Sequence, residues 1–318
     1  MITLSTLRWS IPSSTILKKE RAAGIDHLTA EHLWFSHPAI TTVITKSFNI
    51  MLVNGIVSDS FSTSYTIPIP KCDALGKALS VNVFRGIPIC PVISKIFEHC
   101  ILDCFSTFLA SSDHQFGFKK GSSCSHTIHT IKTVVDYYNK GGSMLNLCAL
   151  DLSKAFDKVN HNALFFKLME RKLPVELLCI IENWFRSSIT CDRWGSITTP
   201  FFKLSAGVRQ GGALSFCLFA IFIDSIINKI ICCGKGCHLA SWCVSIILYA
   251  DDILLLSPSI TSLQSMFNMC DKELQSLNMY INPSKSACMR IGPHCKQACL
   301  CITTNKGMPI PWCEPADT

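Results

Sequence analysis

Apolar residues recur at intervals of three and four positions in several segments of the chain. This spacing places them on one face of an α-helix, which predicts amphipathic helices that bury that face. The first such segment stops at Asn54-Gly55, a typical helix end. The predicted helical segments are residues 40–52, 93–108, 128–138, 164–168, 175–185, 214–221 and 260–277.

Short, nearly continuous apolar runs predict buried β-strands. Residues 145–150 form one such run, which ends at Asp151, and two more runs flank the adjacent acids Asp251 and Asp252. The flanking runs predict a buried hairpin with the acid pair at its tip. Because helices and strands are mixed without a regular alternation, the order predicts the α+β class, with helices on one face of an antiparallel sheet.

The three aspartates at these predicted strand ends indicate a divalent-metal site. A buried carboxylate is costly unless a cation or a set of hydrogen-bond donors offsets its charge. Asp151 is far from Asp251 in the chain, so the acids can meet only on neighbouring strands of one sheet. Magnesium suits such a site because it prefers oxygen ligands and shares them with substrate phosphates. The alternative is an ordinary exposed turn at Asp251-Asp252, which the apolar flanks disfavour.

The composition is that of a globular chain with a moderate excess of basic residues. The chain has 318 residues, 48% of them hydrophobic and 16% charged, and a formal net charge of +7, which is compatible with a polyanionic partner. The 19 cysteines, without a secretory signal, predict reduced thiols that lie mostly in the core. The most apolar stretch, residues 213–233, is interrupted by Asp224 and Lys229, so no membrane span is predicted and an intracellular protein, nuclear or cytoplasmic, is expected.

Several other side chains are candidates for contact with a nucleotide. Phe156 follows Asp151 just past the predicted strand, where its ring could press on a bound sugar, although core packing is the simpler interpretation. Gln210 and Gly211 lie in a glycine-rich loop before a helix, which permits close backbone approach but is also typical of a plain turn.

Three isolated cations, Lys71, Arg85 and Lys285, could bind triphosphate oxygens through charge-assisted hydrogen bonds. Lys71 and Arg85 bracket a loop rich in small and polar residues. Each of the three, taken alone, is more often a surface residue.

Three motifs occur in the order found in reverse transcriptases, and the chain resembles that family. They are LDLSKAFDKVNH at residues 150–161, GVRQGGALS at residues 207–215 and YADD at residues 249–252. The order is similar to that of LINE-type (non-LTR) retrotransposon polymerases, and the resemblance covers roughly residues 18–292. The shorter matches to that group are at residues 23–26, 67–71, 84–87, 94–98 and 115–118.

The resemblance implies a right-hand polymerase with fingers and palm and without a thumb. The fingers would comprise residues 1–90 and an insertion at 158–205, and the palm residues 91–157 and 206–292. Residues 293–318 would be a truncated tail before the thumb, and the endonuclease of a full-length element would also be missing.

The implied activity is RNA-directed DNA polymerisation. In that reaction two Mg²⁺ ions, or Mn²⁺ in their place, support the addition of dNTPs to a DNA primer on an RNA template. Asp151, Asp251 and Asp252 match the metal-binding carboxylates of the family. The other matching positions are Phe156 at the sugar gate, Arg85 and Lys71 where the fingers meet the triphosphate, Gln210 and Gly211 in the nucleotide pocket, and Lys285 where a lysine assists pyrophosphate departure.

Two positions depart from the family pattern and leave other functions open. Phe216 replaces the usual proline, and Gly212 replaces a common serine. The missing thumb and Phe216 favour a catalytically silent relic that at most binds nucleic acid. A different magnesium-dependent phosphotransferase or nuclease that uses the same three acids is a further alternative.

Overall fold

The computed structural model describes residues 17–71, 83–119 and 121–313. Most of the loop predicted between Lys71 and Arg85 lies outside the described residues. The chain forms two compact units, called the first and second unit below, and the predicted division into fingers and palm stays a prediction. The first unit contains Met1–Ala110 and Leu164–Leu218, and the second contains Ser111–Ala163 and Phe219–Thr318.

Each predicted helical segment is helical in the structure. Segment 93–108 contains two helices that are divided at Phe105, and the first predicted helix ends at Gly55, whose left-handed φ of 64° closes the helix as a glycine can. The helices are α1 (Ala30–Trp34), α2 (Ala39–Asn54), α3 (Asp59–Ser62), α4 (Val92–Cys104), α5 (Ser106–Leu109), α6 (Cys124–Lys140), α7 (His161–Glu170), α8 (Val175–Arg186), α9 (Ala213–Cys232) and α10 (Ile260–Ser276).

The predicted strand before Asp151 and the predicted acid hairpin are also present. A 3₁₀ turn, Phe156–Lys158, follows the strand that leads to Asp151. The strands are β1 (Thr63–Pro70), β2 (Phe84–Ile89), β3 (Leu145–Leu150), β4 (Ile189–Trp194), β5 (Ile197–Thr198), β6 (Phe202–Lys203), β7 (His238–Leu239), β8 (Trp242–Cys243), β9 (Ile246–Tyr249), β10 (Asp252–Ser257), β11 (Ala287–Ile291), β12 (Ile302–Thr303), β13 (Pro309–Ile310) and β14 (Trp312–Cys313).

The first unit is built on a sheet whose central strand is β1. That strand pairs antiparallel with β2 and parallel with β4, and β4 also pairs with β5 and β6. Beside the sheet, aromatic rings of α2, α3, α4 and α8 pack together with centroids 4.8 to 6.4 Å apart. These rings belong to Phe48, Phe61, Phe97 and Trp184, and their burial holds the four helices together.

The partly buried side chain of Arg209 and the buried side chain of Glu98 fix the loop that precedes α9. The guanidinium of Arg209 donates to the carbonyl oxygens of Phe61 and Ser62 at 3.1 and 2.5 Å and to Ser188 Oγ at 2.7 Å. Glu98 Oε2 accepts from Leu214 N at 3.1 Å, at the start of α9, where the helix dipole favours a negative group. Burial nevertheless raises the pKa of Glu98.

The second unit is built on a five-stranded sheet in the order β14-β11-β3-β10-β9. All neighbours are antiparallel except β14, which pairs parallel with β11 and so brings Trp312 into the sheet. The α+β class and the antiparallel core of this sheet are therefore as predicted.

Helices cover both faces of this sheet, so the expectation of helices on one face is wrong. Val134 of α6 packs with Leu147 of β3 in one buried cluster. The next residue, Cys148, points to the opposite face because side chains alternate along a strand, and on that face it interacts with Cys270 of α10.

Helix α9 corrects the expectation that Asp224 and Lys229 rule out a membrane-spanning length. Residues 213–232 are long and apolar enough to cross a membrane by length and composition, and 67% of that window is buried inside the protein. Both charges have partners, since Asp224 accepts from Ser112 N and Lys229 forms an ion pair with Glu273. A mostly buried core helix meets the same criteria for length and composition.

The eighteen cysteines in the described part of the chain are free thiols, as predicted. Seven of them are buried, so the expectation that most lie in the core is wrong. Three of the buried thiols, Cys148, Cys270 and Cys288, interact in the core of the second unit, where burial and their mutual contacts raise the pKa of Cys148.

Glu98→Ala is expected to lower the free energy of unfolding by about 1–3 kcal/mol, because it leaves buried N–H groups at the start of α9 without an acceptor. Urea denaturation of the full chain measures this change. Glu182→Ala is the matched control. Glu182 forms an exposed pair with Arg186 at 2.8 Å, and its loss is expected to change stability by less than about 0.5 kcal/mol. Equal losses in both variants would contradict the capping role of Glu98.

Candidate active site

Two neighbouring strands of the second unit bring Asp151 and Asp252 side by side. The antiparallel pairing of β3 with β10 extends to Leu150 opposite Ile253, so the next residue toward the site is an aspartate on each strand. Residues that face each other in this way have Cβ atoms about 5 Å apart. The sheet register thus joins acids that are distant in the sequence.

Asp251 lies in the tight turn between β9 and β10. Tyr249 pairs with Asp252, which leaves Ala250 and Asp251 as a two-residue loop. Ala250 has a left-handed φ of 59°, as two-residue hairpin loops require at their first position. The predicted hairpin is therefore confirmed, with the acid pair at its tip.

The backbone on both sides of Asp151 is fixed by the turn that precedes β11. Ser286 Oγ accepts a hydrogen bond from Asp151 N at 3.1 Å and donates to Asn282 O at 2.8 Å. Asn282 N donates to Asp151 O at 2.9 Å. Ser286 is not among the residues predicted for the site, because its sequence signal is merely that of a small hydroxyl residue after a predicted turn.

The carboxylate of Asp252 is repelled by two neighbouring carboxylates. Burial of Asp252 raises the pKa of its carboxyl group, and the negative charges of Asp251 and Asp151 raise it further. All three causes penalise the ionised form, so a bound cation would relieve the repulsion and favour ionisation.

The chemistry of these donors fits a divalent cation that shares its ligands with a substrate. In the described ranges of the chain, no three His, Cys, Asp or Glu side chains form a complete ligand set, although the aspartates are close enough to interact. Close aspartates that do not form a complete ligand set are still compatible with the binding of an ion such as Mg²⁺. That ion is usually held by one or two carboxylates and completes its coordination with water and phosphate oxygens.

Phe156 is half-buried in the 3₁₀ turn that follows β3 and Asp151. Its ring stacks on Phe219 with centroids 4.3 Å apart, and it meets the ring of Phe118 edge to face at 6.0 Å. The simpler interpretation, core packing, therefore describes part of the side chain. The two supporting rings hold Phe156 in one orientation beside the strand end. Part of its ring stays accessible.

Lys285 is exposed in the turn that carries Asn282 and Ser286. Its backbone N–H donates to Asn282 O at 3.2 Å, so the residue is one position away from the serine that fixes Asp151. Lys285 therefore lies in the same turn as Asn282 and Ser286, which both form hydrogen bonds with the backbone of Asp151.

Two of the predicted phosphate-binding cations lie in the first unit, on one hairpin. Arg85 in β2 pairs with Ile69 in β1, and Lys71 follows β1 with its backbone N–H bonded to Val83 O at 2.9 Å. Because alternate residues share a face, this register places Arg85 and Lys71 on the same face of the hairpin, where both are exposed.

Gln210 and Gly211 also lie in the first unit, in the loop fixed by Arg209 and Glu98. A Cβ atom at position 211 would come within 2.3 Å of Pro88 O, so only glycine permits this backbone approach. A Cβ atom at position 212 would lie 2.8 Å from both carboxylate oxygens of Glu98, which explains the glycine found there. Gln210 itself is half-buried.

Residues 69–306, well over half of the chain, match the protein family described as "Reverse transcriptase (RNA-dependent DNA polymerase)". Among curated proteins, the retrovirus-related Pol polyprotein from type-1 retrotransposable element R2 of Nasonia vitripennis is 24% identical over 288 residues, which are 91% of this chain and 27% of that protein. The RNA-directed DNA polymerase from mobile element jockey of Drosophila funebris is 27% identical over 284 residues, 85% of this chain and 30% of that protein. The chain thus spans less than a third of the length of these relatives.

Among solved structures, "Structure of apo telomerase from Candida Tropicalis truncated from C-terminal domain" is similar, with a TM-score of 0.53 and 15% sequence identity. The match covers 79% of this chain and 55% of that chain. At this identity the likeness shows the fold alone, and it confirms the polymerase fold expected from the sequence.

Mg²⁺ is expected to raise the thermal midpoint of the full chain by a few degrees, which corresponds to about 1 kcal/mol, and to raise it more at pH 7.5 than at pH 5. The pKa of Asp252 is raised in the folded protein, so protonation of this group stabilises the fold. This stabilisation is complete below the ordinary aspartate pKa and is lost as pH rises through the folded pKa. The cation binds the ionised form, so its stabilising effect grows across the same window.

Thermal unfolding with and without MgCl₂ at the two pH values measures this effect. Asp252→Asn is expected to reduce the gain and its pH dependence, whereas Asp136→Asn, an exposed acid on α6, is expected to leave both unchanged. The same gain in all three proteins would show that Mg²⁺ binds elsewhere.

Proposed function

The chain belongs to the reverse transcriptase (RNA-dependent DNA polymerase) family, and from that premise we propose that it is the catalytic region of an RNA-directed DNA polymerase of a LINE-type retrotransposon. The reaction would add dNTPs to a DNA primer on an RNA template. Members of this family use divalent metal ions, and we propose two Mg²⁺ ions here, with Mn²⁺ as a substitute.

A single observation supports this function best. Asp151 and Asp252 come next to the last paired residues of β3 and β10, and Asp251 stands at the hairpin tip beside them. Negative charge on neighbouring carboxylates at one end of the sheet costs free energy in the folded protein. Folding does not require this arrangement, but metal-dependent phosphoryl transfer does, because the carboxylates bind the ions.

Asp151 and Asp251 would hold the ions, and Asp252 would support the second ion or the primer end. When bound, a pair of divalent ions would activate the primer hydroxyl and neutralise the charge on the leaving pyrophosphate. Lys285, exposed in the turn that fixes Asp151, would donate to the departing pyrophosphate.

Phe156 would select deoxyribose over ribose. Its ring is stacked on Phe219 at 4.3 Å and cannot retreat without breaking that contact. A sugar packed against the accessible part of the ring would have no room for a 2′-hydroxyl, the group that distinguishes ribose from deoxyribose.

The exposed side chains of Arg85 and Lys71 would bind the triphosphate, and Gln210 with Gly211 would line the nucleotide pocket. The shared face of Arg85 and Lys71 on one hairpin supports this assignment, because two cations there can contact adjacent phosphate groups. The loop at Gly211, which approaches Pro88 O too closely to allow a side chain, offers a backbone surface for a base or sugar.

The template and primer would be bound with help from regions outside this chain. The chain spans less than a third of the length of these relatives, so we propose that a longer protein supplies the thumb and the endonuclease. The formal net charge of +7 is of the sign that a polyanionic template and primer need.

Asp251→Asn is expected to lower the rate of primer extension on an RNA template by at least about 100-fold. Metal catalysis contributes several kcal/mol, and each 1.36 kcal/mol is about tenfold in rate. Radiolabelled primer extension by the full chain, with the same chain extended C-terminally as a second sample, measures this rate, and Asp136→Asn serves as the exposed-acid control. Salt-dependent RNA binding without incorporation by either wild-type protein would instead select the silent relic.

Phe156→Ala is expected to raise the ratio of ribonucleotide to deoxyribonucleotide incorporation by about 10- to 100-fold, because removal of the ring makes room for the 2′-hydroxyl. Competing single-nucleotide incorporation of rNTP and dNTP measures the ratio. Phe166→Ala, which removes a ring that is exposed on α7, is the control and should leave the ratio unchanged. Unchanged sugar selectivity in Phe156→Ala would contradict the gate assignment.

A further inference from the structure

The turn that carries Asp251 contains a residue in an unfavourable conformation. The φ of Ala250 is 59°, in the left-handed region that costs a residue with a Cβ atom about 1–2 kcal/mol. Such a conformation persists only where the surrounding structure determines it. The two-residue hairpin loop imposes this conformation on Ala250, and contacts from outside the hairpin to its backbone would stabilise it.

Gln115 makes those contacts. Its Nε2 donates to Ala250 O at 3.2 Å, and its Oε1 accepts from Ala250 N at 3.1 Å. The amide thus pairs with both polar backbone groups of the strained residue. Gln115 is fully buried, with 0% of its surface exposed, and its Oε1 also accepts from Gly117 N at 2.9 Å.

The backbone around Gln115 runs along the hairpin as an added parallel segment. Phe116 N donates to Leu248 O at 2.8 Å, and Leu248 N donates to His114 O at 2.8 Å. A Cβ atom at position 117 would lie 2.3 Å from Ala250 N, so glycine is required for this approach. These contacts bring the Gln115 amide to the turn and leave it little freedom to move.

We propose that Gln115 is a positioning residue for polymerisation, which fixes the carboxylates of Asp251 and Asp252 by holding the backbone of Ala250. This inference rests on the proposed function. Gln115 touches neither substrate nor metal. It acts on the residue immediately before the acid pair, where a displacement of about 1 Å can cost on the order of 100-fold in rate.

Gln264 provides a matched control within the same unit. Its Nε2 donates to Thr303 O at 2.8 Å, and its Oε1 accepts from Thr303 N at 2.9 Å, so it pairs with one backbone residue in the same two-bond manner. The pairing ties α10 to β12 and involves none of the three aspartates. Loss of the Gln264 amide should therefore lower stability without moving the acids.

The test compares Gln115→Met with Gln264→Met in the full chain, well below both thermal midpoints. Gln115→Met is expected to lower kcat for primer extension by about 10- to 100-fold with a dNTP KM within about threefold of wild type. Gln264→Met is expected to leave both constants within about twofold. Equal kcat values for the two variants would overturn the proposal. If Gln115→Met does not fold, Gln115→Asn, whose shorter amide cannot reach both groups of Ala250, replaces it.

A second substitution tests whether Gln115 acts through Ala250. Glycine adopts a positive φ without the cost that alanine incurs. The loss of kcat caused by Gln115→Met is therefore expected to be at least several-fold smaller in the Ala250→Gly background than in the wild-type background. If the two single losses of kcat simply multiply in the double variant, the amide does not act through the turn. That result would overturn the proposal.

Mn²⁺ binding separates this inference from the proposed function. Titration of the full chain with MnCl₂, followed by electron paramagnetic resonance of the free ion, is expected to show weaker binding for Gln115→Met than for Gln264→Met. A wild-type chain that binds Mn²⁺ but extends no primer would contradict the proposed function, and the two affinities would still decide the role of Gln115. A wild-type chain with neither property would overturn both.

Discussion

The repulsion that the carboxylates of Asp151 and Asp251 exert on the carboxylate of Asp252 is the constraint on which the rest of the second unit depends. The raised pKa of Asp252 follows from its burial and from the charges of Asp251 and Asp151. A fold can keep such groups together only if the backbone that carries them is held by other interactions, because the acids themselves push apart. The β3–β10 register and the β9–β10 turn provide that frame.

Polar side chains that bond to the main chain complete the frame. Ser286 closes the backbone around Asp151, and Gln115 holds Ala250 in its left-handed conformation. The first unit uses the same device independently, since Glu98 caps α9 and Arg209 binds three acceptors beside its loop. In both units polar side chains form hydrogen bonds with the backbone of segments that carry candidate functional residues, and these bonds stabilise the segments.

Much of this arrangement could be predicted from the sequence, because apolar periodicity and isolated acids are strong local signals. The acid hairpin, the strand before Asp151 and the long helices all follow from them. The family motifs added proposed roles for Phe156 and Arg85, which periodicity alone leaves as ordinary surface or core residues.

Other features depend on contacts between distant residues, and no local pattern reveals them. Gln115 begins a short match to the family at residues 115–118, but that match indicates no role for the amide, whose contacts appear only when the fold brings it to Ala250. Glu98 sits within an apolar helix stripe, where its pairing with α9 cannot be inferred from spacing. The packing of α6 and α10 on opposite faces likewise depends on which way Leu147 and Cys148 point once the strand is placed.

We propose that folding gathers these aspartates into a site for divalent cations. The direct test is anomalous diffraction at the manganese absorption edge, from crystals of the chain soaked with MnCl₂ and a dNTP. Anomalous density is expected within about 2.1 Å of carboxylate oxygens of Asp151 and Asp251. Ordered aspartates with no anomalous density between them, while the ion occupies other sites, would contradict it.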